Sequence, residues 1–240
     1  MPSPVLGYPE NFSAVVESGP TTPGTAEEYE LRFARRALRK IKARLGVEAI
    51  EKALQPDIAA GEAYFSGVAV RNEPDAFAHC GVQLAIRGIT AEEFLNWFHT
   101  HCTRRVSAMQ AAQPEHWVVT SDARGNQTVI ENLGETIARF HITFEPPSKP
   151  FQTQVIRPDF PLRMSGRAAT AAGTVLAYVL HQFRPLEGEA GLGFDANLNA
   201  FFPEAAGEEL IEQHRQHLVV EFTNWTRACY QELKVEGLQL

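Results

Sequence analysis

Cysteine is scarce in this chain: Cys80, Cys102 and Cys229 are the only three in 240 residues, and no two are spaced as CxxC. A disulfide framework is therefore not expected, and free thiols in a reducing compartment, the cytoplasm, are. Cationic excess is also lacking. The 22 Lys and Arg against 29 Asp and Glu leave a net charge of −7, which argues against nucleic acid as a partner, since basic domains do that work. No apolar run approaches the ~20 residues of a membrane helix, so no membrane partner is expected. The opening MPSPVLGYPENF has no basic region followed by an apolar core, and a secretory signal is not expected. Gly-rich phosphate loops, HExxH and internal repeats are missing as well.

What remains is an ordinary globular composition, 44% hydrophobic and 21% charged, long enough to bury a large core. Residues 1–24 hold several Pro, Gly, Ser and Thr and read as an extended arm. Residues 25–240 read as one α+β domain, with a helical part over about 25–60 and a sheet-and-helix part over about 61–240. Thr25 and Glu28 form a capping box that starts a helix. Leu31, Ala34, Leu38, Ile41 and Leu45 are its expected buried face, a basic run between Arg32 and Arg44 its solvated one, and Gly46 its end. Val47–Leu54 is expected as a second short helix stopped by Pro56.

Strands are expected at Ala63–Val70 and Cys80–Arg87, from their β-branched, aromatic and small residues. A second capping box, Thr90 with Glu93, starts a helix through Phe98. Further strands are expected at His116–Thr120, Gln127–Asn132, Thr136–Glu145, Phe151–Ile156, Gly166–Arg184 and Gly191–Phe201. The turn Asp122–Asn126 makes the first two of these a hairpin. Many strands followed by one long helix argue for an antiparallel sheet. A curved sheet around that helix would bury its apolar stripe and leave a cavity between the two.

The long helix begins near Glu208. Leu210, Ile211, His214, Leu218, Phe222, Trp225 and Cys229 form its stripe at helical period. His217 and Glu221 lie at its edge, one turn apart and pointing the same way. A carboxylate beside a core stripe is costly unless something pairs with it. Two readings stand: a metal ion shared by both, or a solvated His/Glu edge. His116 opens a strand with Trp117, Val118 and Val119, and Glu131 sits inside an apolar strand that the hairpin brings alongside. Two imidazoles and two carboxylates suit zinc, and manganese or ferrous iron would also accept them. His181, alternating with Val179 and Phe183, is either a cavity-facing base or a hydrogen-bonded core histidine. His141 reads as solvated, and nothing is expected to pair with His79. Trp97, Phe98, Tyr64 and Phe183 are candidates to line a ring-accepting pocket or plain core aromatics.

Five stretches, GITAEEFLNWFHTH, QPEHW, VIENLG, VLHQFRPLEGEAG and HLVVEFTNW, resemble in order segments of the 2,4-diacetylphloroglucinol hydrolase and phloretin hydrolase family, over Gly88 to Trp225. These are zinc enzymes that cleave the carbon–carbon bond between an acyl group and a phenolic ring. The resemblance implies a Bet v1-like helix-grip fold, a zinc ion held by His116, Glu131, His217 and Glu221, and His181 near the substrate as general base or proton shuttle. It implies a small acylphenol as the ligand; a homodimer stays open. The chain departs from the family in its shorter length, and Tyr64 and Tyr178 fall outside the matching stretches. Two other classes remain: a metal-free binder of hydrophobic ligands, and a metal-dependent lyase on an aromatic or polyketide substrate.

Overall fold

The structure, a computed structural model, describes residue 19, residues 22–186 and residues 192–237. Most of the expected N-terminal arm, and the end of the stretch around His181, lie outside them. The chain divides into two units, 1–46 and 47–240. In the first, α1 (Ala26–Arg71) begins at the expected capping box. Glu28 N–H donates to Thr25 Oγ1 at 3.2 Å, and Thr25 N–H to Glu28 Oε2 at 2.7 Å. Leu31, Ile41 and Leu45, expected to be buried, are exposed. Gly46, at φ 73° and ψ 174°, breaks the helix there, in a region that glycine enters without steric cost.

The second unit begins with the rest of α1, which runs through Pro56 to Arg71. This corrects two expectations: no helix stops at Pro56, and Ala63–Val70 is helical. Packing overrides local preference here. Ile50, Ile58, Gly61, Phe65 and Val68 recur at helical period and are buried. Ile50 and Ile58 pack with Val118 and Ile130 on the outer face of the sheet. Gly61 comes so close to the backbone carbonyl of Ile137 that an added Cβ would collide with its oxygen.

Seven strands follow among the described residues: β1 (Phe77–Arg87), β2 (His116–Ser121), β3 (Gln127–Leu133), β4 (Thr136–Phe144), β5 (Leu162–Ala169), β6 (Val175–Pro185) and β7 (Gly193–Pro203). They form one antiparallel sheet in the order β1-β7-β6-β5-β4-β3-β2. Helices α2 (Ala91–Arg104) and α3 (Val106–Ala112) lie between β1 and β2, and Thr90 caps α2 as expected. The single strand expected at Gly166–Arg184 is two, because Gly173 (φ 88°) turns the chain between β5 and β6. Phe151–Ile156 is not a strand. Pro150, lacking an N–H, instead opens the one-turn helix α4 (Pro150–Thr153).

The last element, α5 (Glu208–Gly237), packs on the inner face of the sheet and against α2 and α3. Every member of its expected stripe is buried. Phe94 of α2 is fully buried, with the rings of Trp97, Phe98, Phe183, Phe194 and Phe222 centred 5.7–6.4 Å from its own. Burying such a ring contributes about 1.5–3 kcal/mol. No described helix is long and apolar enough to cross a membrane.

Candidate metal centre

The β2–β3 hairpin sets His116 directly opposite Glu131. Simple alternation would not aim His116 inward. Val119 faces the cavity and Val118 the outer face, so position 116 would fall outside with Val118. A β-bulge between His116 and Val118 corrects this. Trp117 turns outward, packs beside Ile130 and donates from Nε1 to Asn132 Oδ1 at 2.8 Å, while His116 turns inward. Bulges commonly re-aim a side chain next to a site in this way.

His217 and Glu221 reach the same point from α5. His116 Nε2 lies 3.1 Å from Glu131 Oε2, 3.3 Å from Glu221 Oε1 and 3.2 Å from His217 Nε2. His217 Nε2 lies 4.0 Å from each of those carboxylate oxygens. All four residues are buried. His116, Glu131 and His217 could hold a metal ion, since one ligand atom from each lies within 4.8 Å of the others, and Glu221 approaches the two histidines at the distances just given.

The donor chemistry fits a cation. His116 Nδ1 lies 2.9 Å from the carbonyl oxygen of Met109. A carbonyl only accepts, so Nδ1 carries a proton, and Nε2 of the neutral ring offers a lone pair to a second imidazole and two carboxylates. Either a further proton or a metal ion must sit among them. Ligands about 2.0–2.1 Å from a tetrahedral zinc lie roughly 3.3 Å from one another, and the 3.1–4.0 Å among His116, Glu131 and His217 brackets that spacing; Glu221 lies 3.3 Å from His116 and 4.0 Å from His217, outside that group. Two carboxylates and two neutral imidazoles also balance a divalent charge, as a buried site requires.

Without a metal, the environment sorts the four groups. Burial pushes His116 down, but hydrogen bonds and charge from Glu131 and Glu221 outweigh it and raise it to about 10. Burial takes His217 down to about 3, so that ring is neutral at pH 7. Burial raises Glu221 to about 7 against the pull of His116. Glu131 is held below its ordinary value: burial raises it, and the neighbouring imidazoles outweigh burial. With His217 neutral, the charge that does this at pH 7 is that of His116.

The four groups open into a cavity between the sheet and α5, walled mainly by apolar side chains such as Val129, Phe140, Val179, Phe222 and Trp225. Of the aromatics expected to line it, Phe98 does; Trp97 and Phe183 are core residues outside the lining. Tyr64 is at the surface, its hydroxyl donating to Ala206 O, and Tyr178 packs with Phe77 and Phe151 on the outer face. No tyrosine among the described residues lines the cavity. His181 does, at 8% exposure, with burial holding it down to about 3.

His214 also lines the cavity and was read from the sequence only as part of the apolar stripe. Its ring stacks on His217, with centroids 5.1 Å apart, and its Nδ1 is buried without a partner. Burial takes it down to about 3. The HxxHxxxE spacing of His214, His217 and Glu221 was the signal available for it. Two other histidines differ from expectation. His79 Nε2 pairs with Asn199 Oδ1 at 2.8 Å, and His141 is half-buried, 2.9 Å from Thr128 Oγ1. No family model matches the chain, and a search of curated proteins returns no match.

Proposed function

We propose that the chain is a zinc-dependent hydrolase that cleaves the carbon–carbon bond between an acyl group and a phloroglucinol-type ring. The observation that carries this is the convergence of His116, Glu131 and His217 at 3.1–4.0 Å on the wall of an apolar cavity, with Glu221 3.3 Å from His116 and 4.0 Å from His217. It is the same set that the resemblance to the diacetylphloroglucinol and phloretin hydrolases implies. The strand order β1-β7-β6-β5-β4-β3-β2 with two helices after β1 and a long helix at the end supports a helix-grip reading of the fold. Three buried free thiols support a cytoplasmic location.

The reaction consumes one water: its hydroxyl ends on the acyl carbon, giving a carboxylic acid, and its proton ends on the ring carbon. A zinc ion, or manganese or ferrous iron in the same ligand set, would polarise a substrate oxygen and acidify water near it. The chain's own residues do the rest. Phe222, Trp225 and Phe140 hold an aromatic ring and exclude bulk water. Glu131 and Glu221 neutralise the cation. His116 is kept in one tautomer by Met109 O. His181 faces the substrate.

A metal-free binder is the second reading, and one observation favours it: His116 Nε2 lies 3.1 Å from Glu131 Oε2 and 3.3 Å from Glu221 Oε1, so a single proton there is shared by both carboxylates without any ion. Incubation with a panel of acylphloroglucinols tests the choice. Release of free carboxylic acid, abolished by a chelator and restored by zinc, supports the hydrolase. Tight ligand uptake with no product and no metal supports the binder, and a cleavage product other than the acid points to a lyase.

A further inference from the structure

His181 is held by an interruption in the sheet. Strand β6 pairs with β7 regularly at Tyr178 opposite Phe201 and Val179 opposite Ala200, and again at Gln182 opposite Asn197. Between these pairs, at Leu180 and His181, side chains take over from the ladder. Asn199 Nδ2 donates to the carbonyl oxygen of Leu180 at 2.8 Å and to that of Asn197 at 3.0 Å. The Asn199 backbone N–H, freed from the ladder, donates to His181 Nδ1 at 3.2 Å. Asn199 is itself fixed, because its Oδ1 lies 2.8 Å from His79 Nε2. It is 1% exposed, so water does not compete for these bonds.

A backbone amide can only donate. Nδ1 of His181 must therefore be the bare nitrogen, and the ring's proton must be on Nε2. A doubly protonated ring would set N–H against N–H in a buried place, with no carboxylate beside it to offset the charge. The group that His181 offers is a neutral N–H.

From this geometry we infer that His181 works as a hydrogen-bond donor through Nε2–H to a ring oxygen of the ligand, a ketone or phenolate oxygen, and not as a base. The inference rests on the hydrolase reading for the identity of the ligand, and on the opened ladder for the state of the ring. Since no tyrosine lines the cavity among the described residues, phenolic oxygens need another donor, and His181 supplies one. It lies three strands from Glu131 in the sheet, three strand spacings or roughly 14 Å across it. The ligand that suits both ends carries two separate oxygens on an apolar ring, one for the cation and one for the N–H. When the bond to the acyl carbon breaks, its electron pair leaves with the ring and places negative charge on a ring oxygen, and a donor already in place stabilises that charge with no reorganisation.

The test begins with protein labelled with nitrogen-15 in its histidine rings. The zinc-loaded protein should show His181 protonated at Nε2 and bare at Nδ1 throughout pH 6–8, with the signal assigned by its loss in His181→Gln. A ring protonated at Nδ1, or doubly protonated at pH 7, overturns the proposal. Activity provides the second arm. Glutamine keeps an N–H donor and cannot act as a base, so His181→Gln should keep at least about a tenth of wild-type kcat, whereas His181→Leu should fall roughly 100-fold or more, both with full zinc content. Glutamine as inactive as leucine overturns the donor role. If wild-type protein releases no acid from acylphloroglucinols, the hydrolase reading fails, and the nitrogen-15 spectrum still decides the state of the ring.

Discussion

His116 and His181 are both almost fully buried and both line one cavity, yet their environments drive them in opposite directions. His116, between two carboxylates, is raised to about 10, and His181, with no charged partner, is lowered to about 3. Burial acts against the charged form of both. At the β2–β3 end the carboxylates overcome it and leave a place that demands a cation. At the β6–β7 end nothing opposes it, and a backbone amide fixes the remaining proton. One end of the cavity could hold a metal ion, and at the other we propose a neutral donor.

The largest effect should come from breaking the first end. Glu221→Gln removes a ligand and leaves His116 with a single carboxylate. Metal affinity should fall more than the roughly 100-fold typical of losing a supporting residue, and activity should go with it; competition with a chelator measures the first. Breaking the second end should separate metal from turnover. His181→Leu should bind zinc normally and lose about 100-fold in kcat. If it lost zinc as well, the two ends would not be independent.

A third change leaves both ends alone. Gly61→Ala puts a methyl group against the carbonyl of Ile137 on the outer face. It should destabilise the fold by about 1–3 kcal/mol in chemical denaturation, with zinc content unchanged.

The smallest effect near neutral pH is the pH dependence of stability in the zinc-loaded protein. His181 and His214 are each lowered from 6.5 to about 3. The unfolded chain therefore binds more protons between those values. The stability they contribute is complete above pH 6.5 and is lost progressively as pH falls towards 3. Removing zinc adds a limb of opposite sign from His116, whose contribution is present below 6.5 and lost as pH rises through about 10. Thermal midpoints against pH, with and without chelator, should show the two limbs.

The two ends also differ in how far the sequence revealed them. His217 and Glu221 were legible because one helical turn separates them, and His116 and Glu131 because a five-residue turn forces their strands into a hairpin. The inward aim of His116 was not, since it depends on a bulge that no local pattern marks. The state of His181 was less legible still, because Asn199 is 18 residues away and acts through its backbone. In the fold, α5 followed from periodicity, the capping boxes from the Thr-x-x-Glu spacing, and the antiparallel sheet from the run of strands ahead of one long helix. The second half of α1 was misread because Gly61 is a buried face residue with no side chain to count. The turn between β5 and β6 was missed although Gly173 marked it.

Zinc content tests the central claim most directly. Protein purified without chelator, or refilled with zinc and passed through a desalting column, should carry about one zinc per chain by plasma emission, as a four-ligand site requires. A protein that keeps no zinc after refilling would mean that a proton, and not a metal ion, holds His116, Glu131, His217 and Glu221 together.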